Sequence, residues 1–143
     1  MTCVSISVCK GKGSLKHNNR EFITQNVDSK RTHLNIVYKQ ESLVKAYEFC
    51  FGSTIQDYNA KQKRKDRQIN GVKGDIEKIR KSKNGEKLFY ETVVQVGNKY
   101  TCSTLSQDGE LAKKILDEYM KNFQNRNPNL YVFNAVMHLD EPD

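Results

Sequence analysis

No apolar run in the sequence approaches the ~20 residues that a membrane span requires, and the opening Met-Thr-Cys-Val-Ser-Ile lacks the basic-then-apolar order of a secretion signal. The chain is therefore expected to be cytoplasmic. Its four cysteines, Cys3, Cys9, Cys50 and Cys102, are scattered, with no CxxC pair and no Cys-His cluster at zinc spacing, which excludes a zinc-knuckle reading. Cys3 and Cys9 lie roughly 20 Å apart in an extended strand, too far for a mutual disulfide or a shared metal. Reduced, mostly buried thiols that fill the core are expected. Internal repeats, low-complexity tails and linkers are also missing, so the whole of 1–143 is expected to form a single domain.

What is present is a surplus of positive charge. The 143 residues carry a formal net charge of +7, with a pI near 9.2. Lys and Arg release counterions when they meet phosphates, so a polyanion is the first partner to consider.

Residues 2–9 alternate, with Val4, Ile6 and Val8 on one side, which is the period of a half-buried strand. Gly11 and Gly13 end it, and Ser14 can cap a short helix on which His17 and Arg20 share a face. A second strand is expected around Leu34, Ile36 and Tyr38, with His33 and Asn35 on one face. Helical spacing from Ser42 to Phe51 stops at Gly52. Ser53 with Gln56 then forms a capping-box pattern opening another helix, which runs out through Lys61, Lys63, Arg64, Lys65 and Arg67. Asp75 to Lys83 suits a short helix with Ile76 and Ile79 inward.

Leu88 to Val96 reads as a strand, with Gly97-Asn98 turning it back into Lys99 to Thr104. Leu111, Ile115, Leu116, Tyr119, Met120 and Phe123 form a stripe that predicts the longest helix between Ser106 and Arg126. Pro128 closes that helix. Leu130 to Leu139 is apolar on both faces, as a central, doubly covered strand would be, with His138 at its far end. Strands and helices together predict an α+β domain.

Two short strings carry a resemblance. Lys16-His17-Asn18-Asn19-Arg20 fits the HNxR motif, and His138-Leu139-Asp140-Glu141 the first half of the HxDE…PHxH motif, of the Mob/Pre (MobV-type) relaxases of plasmid mobilisation and recombination. His33-Leu34-Asn35 is similar to a segment that reads HLNY in many relatives, with Ile36 here in place of the tyrosine. The resemblance implies the histidine-hydrophobic-histidine relaxase fold, a mainly antiparallel central sheet with packed helices. It also implies nicking and rejoining of one DNA strand by metal-assisted phosphoryl transfer through a covalent protein–DNA intermediate. The partner so implied is single-stranded or supercoiled plasmid DNA at a transfer origin.

Such chemistry needs a nucleophile, a cation that draws charge from the phosphate, and basic groups that hold the strand in line. His17 is the expected nucleophile, because a neutral imidazole attacks phosphorus without prior deprotonation. Arg20 and Lys16 are expected near the scissile phosphate, with Asn18, Asn19 and Asn35 contacting DNA. His138 is the implied ligand for Mn²⁺ or Mg²⁺. Glu141 is the implied base or supporting carboxylate, and Asp140 is left to structure. The run Lys63, Arg64 and Lys65 suits either the DNA backbone or a solvated helix face.

The chain stops soon after His138, so truncation inside the metal motif is expected, with weak DNA binding and poor cleavage. The alternative is a non-catalytic DNA-binding module derived from a relaxase. A third reading, a nucleic-acid-binding domain of another lineage, does not require His17 and His138 to meet; placement on opposite sides of a sheet would exclude the relaxase reading.

Overall fold

The computed structural model describes residues 5–11, 13–97, 100, 102–103 and 105–141. The elements run β1 (Ile6–Lys10), α1 (Leu15–Asn18), β2 (Ile36–Gln40), α2 (Leu43–Lys61), α3 (Gly71–Lys81), β3 (Thr92–Val96), α4 (Gln107–Lys121), α5 (Phe123–Arg126) and β4 (Asn134–Met137), with short 3-10 turns at Thr32–Leu34 and Lys65–Arg67. They gather into two compact units: residues 1–40 with 91–143, and residues 41–90.

The first unit contains all the described strands. β1 pairs antiparallel with β3, from Ile6 opposite Val96 to Lys10 opposite Thr92. β2 pairs antiparallel with β4, from Ile36 opposite Met137 to Gln40 opposite Asn134, and the register slips between Val37 and Lys39. The fold is α+β with antiparallel pairing, as expected, but the described strands form two separate two-stranded ladders rather than one central sheet. The stretch expected as a doubly covered strand at Leu130–Leu139 enters its ladder only over Asn134–Met137 and has β2 as its one neighbour. β1 was expected to be half-buried, yet Ile6 and Val8 are 61% and 63% exposed.

The slip in β2 falls at Tyr38. A bulge of this kind re-aims a side chain, and the Tyr38 hydroxyl donates to Asp117 Oδ1 of α4 at 2.5 Å. Burial, followed by that hydrogen bond, pushes the Tyr38 pKa up. α4 starts after Ser106, whose Oγ accepts from Gly109 N at 3.0 Å, and Ala112 is buried beneath it. It ends at Lys121, and α5 follows after Asn122.

In the second unit α2 runs unbroken through Gly52, so the expected stop and the Ser53–Gln56 capping box lie inside one helix of 19 residues. That makes α2, not α4 with its 15 residues, the longest helix described. The physical reason is packing. Ala46, Tyr47 and Ile55 keep one buried face across the glycine, and that burial exceeds the ~1 kcal/mol by which an interior glycine disfavours a helix. The unit closes on side-chain-to-backbone bonds. Asn59 donates to Ile69 O and accepts from Ile69 N, each at 2.8 Å, and the Tyr47 hydroxyl donates to Leu88 O at 2.5 Å. α3 begins earlier than expected, at Gly71, whose φ of +62° suits only glycine comfortably and redirects the chain into the helix at once.

Of the expected Lys99–Thr104 return strand, Lys99, Thr101 and Thr104 lie outside the described residues, and Tyr100, Cys102 and Ser103 are not in a strand. Cys3 also lies outside them. Cys9 is exposed, against the expectation of a core-filling thiol, because both faces of β1 are open; Cys50 and Cys102 are half-buried. No helix of the described residues is long and apolar enough to cross a membrane.

Candidate active site

His17 sits in α1, a single turn. The Ser14 side chain caps it by accepting from His17 N at 3.4 Å. Isolated helices this short do not persist in water, so its placement must come from tertiary contacts. The chain reverses directly after it: Arg20 has φ of +55°, a left-handed conformation that a non-glycine side chain holds only when its surroundings enforce it.

Those surroundings lie far away in sequence, after β4. Arg20 Nε donates to Asp140 Oδ2 at 2.9 Å and Nη2 donates to Asp140 Oδ1 at 2.6 Å, a bidentate pair. Nη2 also donates to Glu141 Oε1 at 2.7 Å, and Nη1 donates to His17 O at 2.9 Å. The guanidinium side chain is 8% exposed and the Asp140 side chain 0%. Asp140 is thus the most deeply buried large side chain among the described residues.

A buried carboxylate needs full pairing, and Asp140 has it. Thr32 Oγ1 donates to Oδ2 at 2.9 Å. Burial works against its ionisation, but hydrogen bonding from Arg20 and Thr32 and the positive charge of Arg20 prevail, holding its pKa well below the usual carboxylate range. The same pairing, led by Asp140, raises the pKa of Arg20. Asn35 Oδ1 accepts from Leu139 N at 2.7 Å and so fixes the chain between His138 and Asp140.

The result is a convergence of His17, His138 and Glu141, whose potential ligand atoms all lie within 4.8 Å of one another. The two imidazoles meet edge-on with centroids 6.0 Å apart. His17 Nε2 lies 3.1 Å from Glu141 Oε1, and His138 Nδ1 lies 3.6 Å from the same oxygen. His138 Nε2 is 3.0 Å from Asn18 O. A carbonyl only accepts, so Nε2 is the donor there and Nδ1 is the nitrogen that faces the Glu141 carboxylate. Two imidazoles and a carboxylate are a donor set that a divalent ion such as Mn²⁺ accepts.

The other residues singled out in the sequence fall as follows. Asn18 Nδ2 donates to Glu91 Oε1 at 2.5 Å, and Asn19 Oδ1 accepts from Asn134 Nδ2 at 2.7 Å, so both side chains are engaged within the protein. Lys16 is exposed beside the site, and His33 is exposed in its 3-10 turn, outside the three-residue cluster. Lys63, Arg64 and Lys65 are exposed in the second unit, where Arg64 pairs with Asp66 at 2.6 Å. Glu91 and Thr32 were missed. Neither carries a local sequence signal, since each acts through a partner distant in the chain. Asp140, left to structure, proves to be the anchor of Arg20.

The fold and the histidine–carboxylate cluster define the class. The structure is similar to a solved MobM relaxase domain (MOBV; Mob_Pre) bound to 22 nt of plasmid pMV158 oriT DNA with Mn, at 21% identity and a TM-score of 0.50, covering 96% of this chain and 64% of that one. The chain thus spans a little under two thirds of that solved chain. Residues 44–142 match the plasmid recombination enzyme family, Mob_Pre. The protein belongs to that family. No curated protein matches the chain.

Proposed function

We propose that the protein is a plasmid mobilisation or recombination relaxase that nicks and rejoins one strand of origin DNA, with His17 as the nucleophile. The observation that carries this reading is the meeting of His17, His138 and Glu141 around one small volume, from opposite ends of the chain. DNA is the partner of the similar solved domain, and the net charge of +7 suits a polyanion here.

The carboxylate of Glu141 accepts from His17 Nε2–H, which leaves the lone pair on Nδ1. Nδ1 bonds to phosphorus while the P–O3′ bond breaks, and the 3′ oxygen leaves and takes a proton from water. The ring becomes cationic as the phosphoramidate forms, and Glu141 receives the Nε2 proton. Rejoining is the reverse, with the 3′ hydroxyl as attacking group. Arg20 orients Glu141 and the His17 backbone, since its fork is occupied by protein acceptors. Lys16, exposed next to His17, is placed to meet a phosphate, and Lys63, Arg64 and Lys65 contribute a sequence-independent hold on the backbone. His138 and Glu141 would hold a divalent cation, which when bound would supply neutralisation of charge on the phosphate.

The test is covalent capture. Wild-type chain and His17→Ala are incubated with Mn²⁺ and single-stranded oligonucleotides spanning a transfer origin, and adducts are resolved under denaturing conditions. An adduct from the wild type and none from His17→Ala is expected. Undiminished adduct from His17→Ala refutes the nucleophile. If the wild type binds the oligonucleotide without forming any adduct, a non-catalytic DNA-binding module is the better reading.

A further inference from the structure

The turn that carries His17 has a second anchor, a residue outside both motifs. Glu91 immediately precedes β3. Its Oε2 accepts from Gly13 N at 2.8 Å, just before α1, and its Oε1 accepts from Asn18 Nδ2 at 2.5 Å, at the last residue of α1. One carboxylate therefore grips the chain on both sides of His17. The Glu91 backbone is fixed as well, because its carbonyl accepts from Gly11 N at 3.0 Å and prolongs the β1–β3 ladder.

The fit leaves no spare room. A Cβ added at Gly11 would lie 1.8 Å from Glu91 Oε2 and 2.4 Å from its Cδ, so the carboxylate occupies space that only glycine leaves open. Gly11 is accordingly part of the seat, a role distinct from ending β1.

Asn18 links this clip to the cation side of the site. Its side chain is held by Glu91 while its backbone carbonyl accepts from His138 Nε2–H at 3.0 Å. A histidine whose far nitrogen donates to a fixed carbonyl is locked in one tautomer and one ring orientation, an arrangement that outer partners of metal-ligating histidines commonly provide. We propose that Glu91 is a positioning residue for the site, clipping α1 at both ends and, through Asn18, setting which nitrogen of His138 faces Glu141. This rests on the strand-transfer reading for its biological purpose, but not for its physical content.

The experiment uses the full chain labelled with ¹⁵N-histidine. Three histidines give a small set of ring signals, assigned by substituting each in turn. At about pH 8, above the ordinary imidazole range, and without metal or DNA, His138 in the wild type should show a single Nε2–H tautomer. Glu91→Ala and Asn18→Ala should each shift it toward a mixture, and Mn²⁺ affinity measured by calorimetry should fall ~10-fold.

Glu91→Gln keeps the side chain's size but turns an N–H toward one of two donors, and should have a smaller effect in the same direction. It serves as the interpretable variant if Glu91→Ala does not fold. An unchanged His138 tautomer in folded Glu91→Gln and Asn18→Ala overturns the proposal. Because this readout needs no DNA, a failure of covalent capture by His17 and a failure of the Glu91 clip are separate results.

Discussion

Replacing Asp140 by asparagine tests the central physical claim about the site. The substitution keeps the shape but removes the charge opposite Arg20, in a pair whose side chains are 8% and 0% exposed. Removing one partner of a buried ion pair typically costs about 3–5 kcal/mol, because the other charge is left uncompensated, whereas an exposed pair is worth under about 1 kcal/mol. Asparagine retains one acceptor oxygen, so the lower end, about 3 kcal/mol, is expected. With a urea m-value of about 1.5 kcal/mol/M for a chain of this size, the unfolding midpoint should drop by about 2 M.

The effect should also depend on pH, with a sign the structure fixes. The folded-state pKa of Asp140 is depressed, so its contribution is fully present above the unfolded value near 4 and is lost as pH falls through the depressed folded value. The gap between wild type and Asp140→Asn should therefore be widest from pH 5 upward and close toward pH 2. Equilibrium urea unfolding followed by circular dichroism at several pH values measures it. A loss under about 1 kcal/mol at pH 7, or a gap that does not narrow in acid, would refute the picture of a buried, ionised anchor.

Two further outcomes are expected. The raised pKa of Tyr38, caused first by burial and then by Asp117, means that its contribution is present below the unfolded value near 10 and lost as pH rises above it. Tyr38→Phe should accordingly flatten the alkaline loss of stability above about pH 10, and an alkaline limb identical to that of the wild type would contradict the assignment. Neutralising Lys63, Arg64 and Lys65 together should reduce the salt slope of single-strand DNA binding by up to about 2, at about 0.7 per phosphate contact; an unchanged slope means that the run is a solvated face.

Which parts of this were legible in the sequence follows from the range of the forces involved. The apolar stripe of α4 is local, and the helix it predicts is present at Gln107–Lys121. The passage of α2 through Gly52 was not legible, because the burial of Ala46, Tyr47 and Ile55 that outweighs the glycine is a tertiary term. The doubly apolar stretch before His138 suggested a central strand, yet periodicity reports only which faces avoid water and not which strand lies alongside. At the candidate site, His17, Arg20, His138 and Glu141, singled out through their motifs, come together in the structure. Glu91 was invisible because a single glutamate beside a strand has no pattern, and Asn18 and Asn19, read as DNA contacts, have their side chains bonded within the protein to partners at positions 91 and 134.

The same contacts bear on how the site comes into being. A four-residue helix has essentially no stability of its own, and the left-handed turn at Arg20 adds a local cost of order 1 kcal/mol. His17 can therefore hold its place only after Arg20 has found Asp140, 120 positions away, and Asn18 has found Glu91, 73 positions away. Neither contact belongs to the ladder hydrogen bonds of a strand; both depend on the ends of β4 and β3 being in register first. Chain ends of this kind close the longest loops in a fold and tend to settle after more local structure such as the α2–α3 pair. The two sides of the cluster are thus coupled: the docking of residues 138–141 onto α1 orders His17 and brings His138 and Glu141 to it together, so a folded chain with only half of the cluster in place is disfavoured by the same buried pair that completes it.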